Sequence, residues 1–373
     1  MSRSCSRRAL LLQGAAVLTA ASASAPNRTP AAPAPADGAS ADGEILGQGN
    51  FRYRAHRLWG RLDHRQYPVK DCHGISGDRS GRIVLLTNDT RNNLIAYTTA
   101  GGLVRAWENR FPGAHGFDIV DTQGEDHYWI TDHTRRLVWI TDHTRRLVSV
   151  CSPEGKELLH IGPEALRSKY ADPSSYRPTN TATLPDGDFF VSDGYGSGFV
   201  HHFDPQGRYI ASFGGKGDAP QQLDIPHAVW IDRRSGKPLL LVCDRGHNAL
   251  KWFSLGGEFL HSIDFGALQI DDEPVGALPC NVAPFHGYRN GQFDDHLAVA
   301  CLAGMVLVLD GANRVVSVIG GMPPVYLDGK LQQLENFNYT FNHPHDLYVD
   351  SSGAIYVAQW GSNRTYPMKL EPL

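Results

Sequence analysis

Along this chain apolar residues come in short alternating or continuous runs, separated by Gly, Pro, Asp, Asn and Ser, a rhythm that predicts strands and turns rather than helices. The clearest stretch reads Pro226-His227-Ala228-Val229-Trp230-Ile231-Asp232, then Leu239-Leu240-Leu241-Val242-Cys243-Asp244, then Ala249-Leu250-Lys251-Trp252-Phe253, then Glu258-Phe259-Leu260-His261-Ser262-Ile263. Its last two runs are joined by a Gly-bearing turn. The same turn recurs in Phe203-Asp204-Pro205-Gln206-Gly207-Arg208-Tyr209-Ile210 and in Cys151-Ser152-Pro153-Glu154-Gly155-Lys156-Glu157-Leu158, the signature of a hairpin. One unit is therefore a four-stranded antiparallel sheet, and copies open at His73, His115, Thr179, His227, Cys280 and His345. Repetition of such a unit predicts a six-bladed β-propeller.

The ring predicts its own closure. The copy opening at His345 runs through Ala354–Ala358 and Tyr366–Leu370 and then the chain ends, one strand short. Tyr53–Gly60 has the form of a fourth strand yet precedes the first complete unit, and pairing it with the last strands hides two open sheet edges. One stretch departs from the pattern: Trp129–Val138 is repeated at once as Trp139–Val148. An extra strand would reverse every later strand of an antiparallel meander, so about ten residues are expected to loop out or form a protruding hairpin.

Composition narrows the picture. Hydrophobic residues at 41%, with 39 Gly and 23 Pro, suit a large core cut into short segments. A net charge of -4 supplies no basic surface for nucleic acid, leaving small-molecule or peptide ligands as the expected partners. The first residues place Arg7-Arg8 before a short apolar run that ends in Ala21-Ser22-Ala23. This pattern predicts a twin-arginine signal over residues 1–23, hence a periplasmic or secreted protein, and the run is too short to span a membrane. Residues 24–48, rich in Ala and Pro, are expected to be a disordered linker, and 49–373 the propeller. Cys72, Cys151, Cys243, Cys280 and Cys301 remain after the signal, an odd number that predicts no essential disulfide. A sealed ring needs no partner to cover its edges, which predicts a monomer.

The candidate chemistry lies at the channel. The opening residues of the inner strands converge on the propeller axis, and His73, His115, His227 and His345 are four of the six. Neutral imidazoles meeting at one point with a position left free suit catalytic zinc, and iron or manganese would also fit. His201, His202, His247 and His286 hold no such repeat position and are read as ordinary structural histidines.

Several of these segments carry a family resemblance. Pro226-His227-Ala228-Val229, Asn342-His343-Pro344-His345-Asp346, Ala114-His115-Gly116-Phe117, Val191-Ser192-Asp193-Gly194-Tyr195 and Cys243-Asp244-Arg245 resemble the motifs of the peptidyl-α-hydroxyglycine α-amidating lyases, NHL-repeat propellers. The resemblance implies zinc on His115, His227 and His345, with His73 a further candidate ligand. It implies Tyr195 as base and Arg245 in the active site, where a guanidinium could hold a substrate carboxylate. It also implies a structural Ca2+ at Ile75, Phe117 and Asp346. Asn88 stands where the family carries an arginine, Arg91 lies three residues on as a candidate replacement, and His343 stands at a methionine position.

Two functions follow. One is an exported zinc-dependent carbon–nitrogen lyase that releases glyoxylate from an α-hydroxyglycine-type carbinolamide. The other is a non-catalytic propeller that binds a ligand or protein partner and keeps the channel metal for structure. A lactonase is disfavoured because such enzymes hold calcium with carboxylate and Asn ligands.

Overall fold

In the computed structural model the apolar runs become antiparallel four-stranded meanders arranged as six blades. The structure describes residues 43–107, 111–133, 146–172, 175–270, 273–285, 295–332, 334–337, 340–361 and 365–373. The chain divides into the units Met1–Ala36 and Asp37–Leu373, and all described residues belong to the second. The expected signal and linker up to residue 42, and His286, lie outside the described residues. Among those residues no helix is long and apolar enough to cross a membrane.

Blade 1 begins with Cys72–Gly77 and ends with Leu103–Trp107. Blade 2 runs from Ala114–Thr122 to Glu157–Ile161, blade 3 from Asn180–Thr183 to Tyr209–Gly214, and blade 4 from Pro226–Asp232 to Phe259–Asp264. Blade 5 runs from Pro279–Pro284 to Val315–Ile319. The inner three strands of blades 1 and 4 are almost wholly buried, whereas the outermost strand of each has no buried residue. That gradient explains why the apolar runs are continuous inside and alternating at the rim.

Neighbouring blades bury their faces against each other. Trp129, Val148 and Val150 of blade 2 share a cluster with Phe189, Val191 and Phe203 of blade 3, and the Trp129 and Phe189 rings lie 4.9 Å apart. Each such fully buried side chain stabilises the stack by about 1.5–3 kcal/mol.

Blade 6 closes as expected. Pro344–Val349, Ile355–Gln359 and Met368–Pro372 are completed by Phe51–His56, with Tyr53 opposite Pro372 and Ala55 opposite Leu370. Two details differ from the sequence reading. The closing strand stops at His56, because Trp59 turns inward between blades, its ring 5.3 Å from Tyr97 and 4.9 Å from Tyr356. Ile45–Gln48 adds a fifth strand, so the expected boundary at 49 falls inside a hairpin. Gln48 then clips blade 6 to blade 5, accepting from Val318 N at 2.7 Å and donating to Val318 O at 3.2 Å.

Blade 2 keeps four strands despite the tandem repeat. Glu125–Asp132 takes the start of the first copy and Leu147–Cys151 the end of the second, so strand direction is preserved. Residues 134–145 between them lie outside the described residues. Two short strand pairs, Ala267–Ile270 with Glu273–Gly276 between blades 4 and 5 and Tyr326–Leu327 with Lys330–Leu331 between blades 5 and 6, had no counterpart in the repeat pattern. None of the five expected cysteines is in a disulfide, and all five are buried.

Candidate metal centre and active site

The inner strands aim their opening residues by a shared irregularity. Pairing skips a residue between Cys72 and Gly74, Pro226 and Ala228, Pro279 and Asn281, and Pro344 and Asp346, and it also shifts between Ala114 and Phe117. His73, His227, Cys280 and His345, and with them His115, are therefore bulged out of the ladder. A bulge re-aims a side chain and frees its backbone groups. Both consequences appear at the axis.

Blades 2, 4 and 6 supply His115, His227 and His345, whose ring centroids lie 4.7–4.8 Å from one another. Blades 1, 3 and 5 supply the carbonyls that hold them. His115 Nδ1 donates to Thr179 O, His227 Nδ1 to Cys280 O and His345 Nδ1 to His73 O, each at 2.8 Å. These bonds fix the Nδ1–H tautomer and leave each Nε2 lone pair in the channel, the usual second contact of a metal-bound imidazole. Burial pushes all three pKa values well below 6.5, so the rings are neutral and free to ligate. Among the described residues, His73, His115 and His345, and also His227, Cys280 and His345, present ligand atoms within 4.8 Å of one another. The void among these rings is about 10 Å³, room for one ion or water. Three converging nitrogen lone pairs in so small a space fit zinc or a similar divalent cation.

A second ring of residues stands above the first. In every blade the residue two places before the inner opener accepts, through its carbonyl, the N–H of a residue just beyond the second strand. The pairs are Asp71–Asn88, Gly113–His133, Arg177–Tyr195, Ile225–Arg245, Leu278–Leu302 and His343–Trp360. Tyr195 and Arg245 are thus placed by the same device that sets the imidazoles. Tyr195 OH lies 3.1 Å from His115 Nε2 and 3.2 Å from His227 Nε2, and Arg245 Nη2 donates to that oxygen at 3.2 Å. Burial raises the Tyr195 pKa, and the Arg245 charge opposes the rise. The Arg245 guanidinium is turned toward Tyr195 and the Cys280 sulfur rather than left open for a carboxylate.

The turn carrying Tyr195 is built around Asp193, which is fully buried. Its carboxylate accepts from Tyr170 OH at 2.6 Å, Arg177 N at 2.6 Å and Ser197 N at 2.7 Å. Asp244 plays the same part below Arg245, accepting from Asp224 N at 2.8 Å and pairing with Lys251 at 2.8 Å.

His133 joins the site although the sequence reading did not single it out. Its ring lies 5.0 Å from His115 and 5.1 Å from Tyr195, and burial lowers its pKa to about 4. It follows Asp132 as Arg245 follows Asp244, which was the signal available; the tandem repeat masked it by offering His143 in the same context.

The remaining candidates divide. Asn88 reaches the site only through His73, with Nδ2 at 3.4 Å from His73 Nε2. Arg91 does not: its guanidinium is held by both oxygens of Asp89 at 3.1 Å, with 64% of the side chain exposed. His343 faces Trp360, its Nδ1 3.2 Å from that carbonyl, in a left-handed conformation with φ 54°. Asp346 lies beneath the imidazoles, accepting from Ile75 N at 2.9 Å, Leu347 N at 2.8 Å and Asn281 Nδ2 at 2.5 Å. Burial pushes its pKa up to about 8. Ile75, Phe117 and Asp346 together border a larger cavity of about 380 Å³ on the far side of the imidazoles.

No family model matches the chain. Peptidyl-α-hydroxyglycine α-amidating lyase 1 of Drosophila melanogaster is 26% identical over 343 residues, covering 84% of this chain and 53% of that protein. This propeller resembles the α-amidating lyases. The mouse peptidyl-glycine α-amidating monooxygenase is 24% identical over 274 residues, 70% of this chain but 24% of that protein, so the chain spans only about a quarter of it. Human NHL repeat-containing protein 3 is 23% identical over 340 residues, 86% of each. Among solved structures, a gluconolactonase of Xanthomonas campestris aligns with TM-score 0.56 at 15% identity over 89% of this chain and 96% of that one. A streptogramin B lyase aligns at 0.53 and 13% identity over 89% and 99%. At such identities the two structures speak for the propeller fold alone.

Proposed function

We propose that this propeller is an exported, metal-dependent carbon–nitrogen lyase that cleaves an α-hydroxyglycine-type carbinolamide into an amide and glyoxylate. One observation carries the reading: three neutral imidazoles from alternate blades turn their Nε2 atoms toward one another at the channel axis, and two of those atoms lie within 3.2 Å of the Tyr195 oxygen. A divalent cation held by those nitrogens would supply Lewis acidity, lowering the pKa of a hydroxyl in contact with it.

The chain's own residues do the rest. Arg245, donating to the phenol oxygen, favours the ionised form of Tyr195 and so its use as a base. Tyr195 takes the carbinol proton, and the O–H electron pair becomes the new carbonyl of glyoxylate. The C–N pair passes to the amide nitrogen, which takes the proton back from Tyr195. No water and no oxidant enter the balance. Arg245 has its Nη2 on Tyr195 and its Nη1 on the Cys280 sulfur, so holding a substrate carboxylate would require the guanidinium to exchange the sulfur contact for it. His133, neutral and packed on Tyr195 and His115, limits the ways either ring can turn.

The test is direct. Purified protein loaded with zinc should release glyoxylate from α-hydroxyhippurate, and Tyr195→Phe should lower kcat by about 10²–10⁴ with metal content unchanged. Full metal occupancy with no glyoxylate would refute the lyase and leave the binding propeller, for which Asn88 at the family's arginine position is the supporting observation.

A further inference from the structure

His73 is the odd member of the four imidazoles, and its neighbours say why. In His115, His227 and His345 a backbone carbonyl takes the Nδ1 proton and Nε2 faces the channel. His73 is turned the other way. Its Nδ1 faces inward, 3.4 Å from His345 Nε2, and its Nε2 faces Asn88 Nδ2 at 3.4 Å.

The orientation of the Asn88 amide is dictated by Asp71. Asn88 Oδ1 accepts from the Asp71 backbone N–H at 3.0 Å, and Asn88 Nδ2 donates to Asp71 Oδ2 at 2.9 Å. Reversing the amide would set an NH2 against an N–H and an oxygen against a carboxylate. Asp71 is itself held, since Oδ1 accepts from Gly361 N at 3.2 Å and its carbonyl accepts from Asn88 N at 3.2 Å. The second Asn88 N–H therefore points at His73 Nε2, which must accept. A neutral imidazole that accepts at Nε2 carries its proton on Nδ1. That proton is aimed at the lone pair of His345 Nε2, one of the three inward acceptors.

We propose that His73 is not a fourth metal ligand but an inward N–H donor, set by the Asp71–Asn88 clamp, that binds the substrate oxygen presented beside His345. The four rings then comprise three lone-pair donors and one proton donor. A ligand on the three Nε2 atoms frees the His73 N–H from His345 and leaves it for an oxygen of the bound molecule. In this way Asn88 contributes through His73 rather than by contact. The tautomer stands on the hydrogen-bond geometry alone, while the substrate contact rests on the lyase reading above.

The experiment reads the tautomer and the metal separately from turnover. In full-length, metal-free protein labelled with 15N-histidine, long-range proton–nitrogen correlation should show His73 as Nδ1–H, assigned by its loss in His73→Asn. Exchanging the polarity of the clamp in the double variant Asp71→Asn/Asn88→Asp should turn the ring to Nε2–H, and Asn88→Leu, which merely removes the clamp, should leave a mixture. Zinc affinity should change less than about fivefold in His73→Ala, against a loss of more than about a hundredfold in His115→Ala. With α-hydroxyhippurate, His73→Ala should lower kcat, and His73→Asn, which retains an N–H near the Nδ1 position, should recover part of it. An Nε2–H signal in the unaltered protein, or loss of zinc from His73→Ala comparable to that from His115→Ala, would overturn the proposal. Absence of glyoxylate from the unaltered protein would overturn the lyase reading and leave the nitrogen spectrum as a test of the tautomer.

Discussion

The substitution Gly116→Ala tests whether the channel imidazoles are held as described. A Cβ built at Gly116 would lie 2.2 Å from Thr179 O, 2.8 Å from Asn180 Cα and 2.9 Å from Thr131 Oγ1. The first two are backbone atoms at the entry to the inner strand of blade 3, and bringing them to ordinary contact requires a shift of about 1 Å. Overpacking of this kind costs about 1–3 kcal/mol. The displaced carbonyl is also the acceptor that holds His115 Nδ1 at 2.8 Å, and a shift of that size stretches the bond past useful length. Loss of such a contact behind a metal-bound imidazole lowers affinity about 10–100-fold. Urea unfolding of the metal-free protein gives the first quantity and competition with a zinc chelator the second. Gly256→Ala serves as control, since its Cβ would meet only Ser254 Oγ at 3.7 Å. Should Gly116→Ala match the control in both measurements, the carbonyl at Thr179 does not set the His115 ring and the three-imidazole geometry is wrong.

Asp193 titrates near 6 in the folded chain against 3.8 unfolded, so between those values the unfolded chain has released a proton the folded one keeps. Stability therefore falls as pH rises through that window, by about 3 kcal/mol, so the urea midpoint of the unaltered protein should fall across it relative to that of Asp193→Asn. Deleting residues 43–56 removes Phe51, Tyr53 and Ala55 from the core of blade 6 and opens the edge of Met368–Pro372. The expected result is loss of more than about 5 kcal/mol, comparable to a whole domain's stability, read as aggregation by size-exclusion chromatography. Cys72, Cys243 and Cys301 are fully buried and burial pushes their thiols up, so a thiol reagent should label them only as fast as the chain unfolds.

The repeat made much of this legible in advance. A strand opener occupies the same place in each blade, so listing openers places residues on the axis, and the lone fourth-strand pattern at Tyr53 foretold the closure. What the repeat could not convey are features that depend on contacts between blades. The carbonyls of Thr179, Cys280 and His73 have no side-chain signature, yet they decide which nitrogen of each histidine faces inward. His133 was hidden because two copies of its motif stood in tandem and only packing could choose between them. Arg91 sits three residues from Asn88 in sequence, but Asp89 captures its guanidinium on the surface. His73 illustrates the point most sharply, because its role turns on an amide orientation at Asn88 that follows from Asp71, seventeen residues earlier in the chain.

The imidazole cluster straddles the join of the ring. His345 is tied to His73 across the junction of the last blade with the first, residues at opposite ends of the propeller sequence. A nascent chain lacking its final thirty or so residues would thus have only part of the cluster. An ion gripping His115, His227 and His345 would act as a rivet at the place where the circle is weakest, so chelators should accelerate opening there first, detectable as faster amide exchange in Met368–Pro372 than in the strands of blade 4.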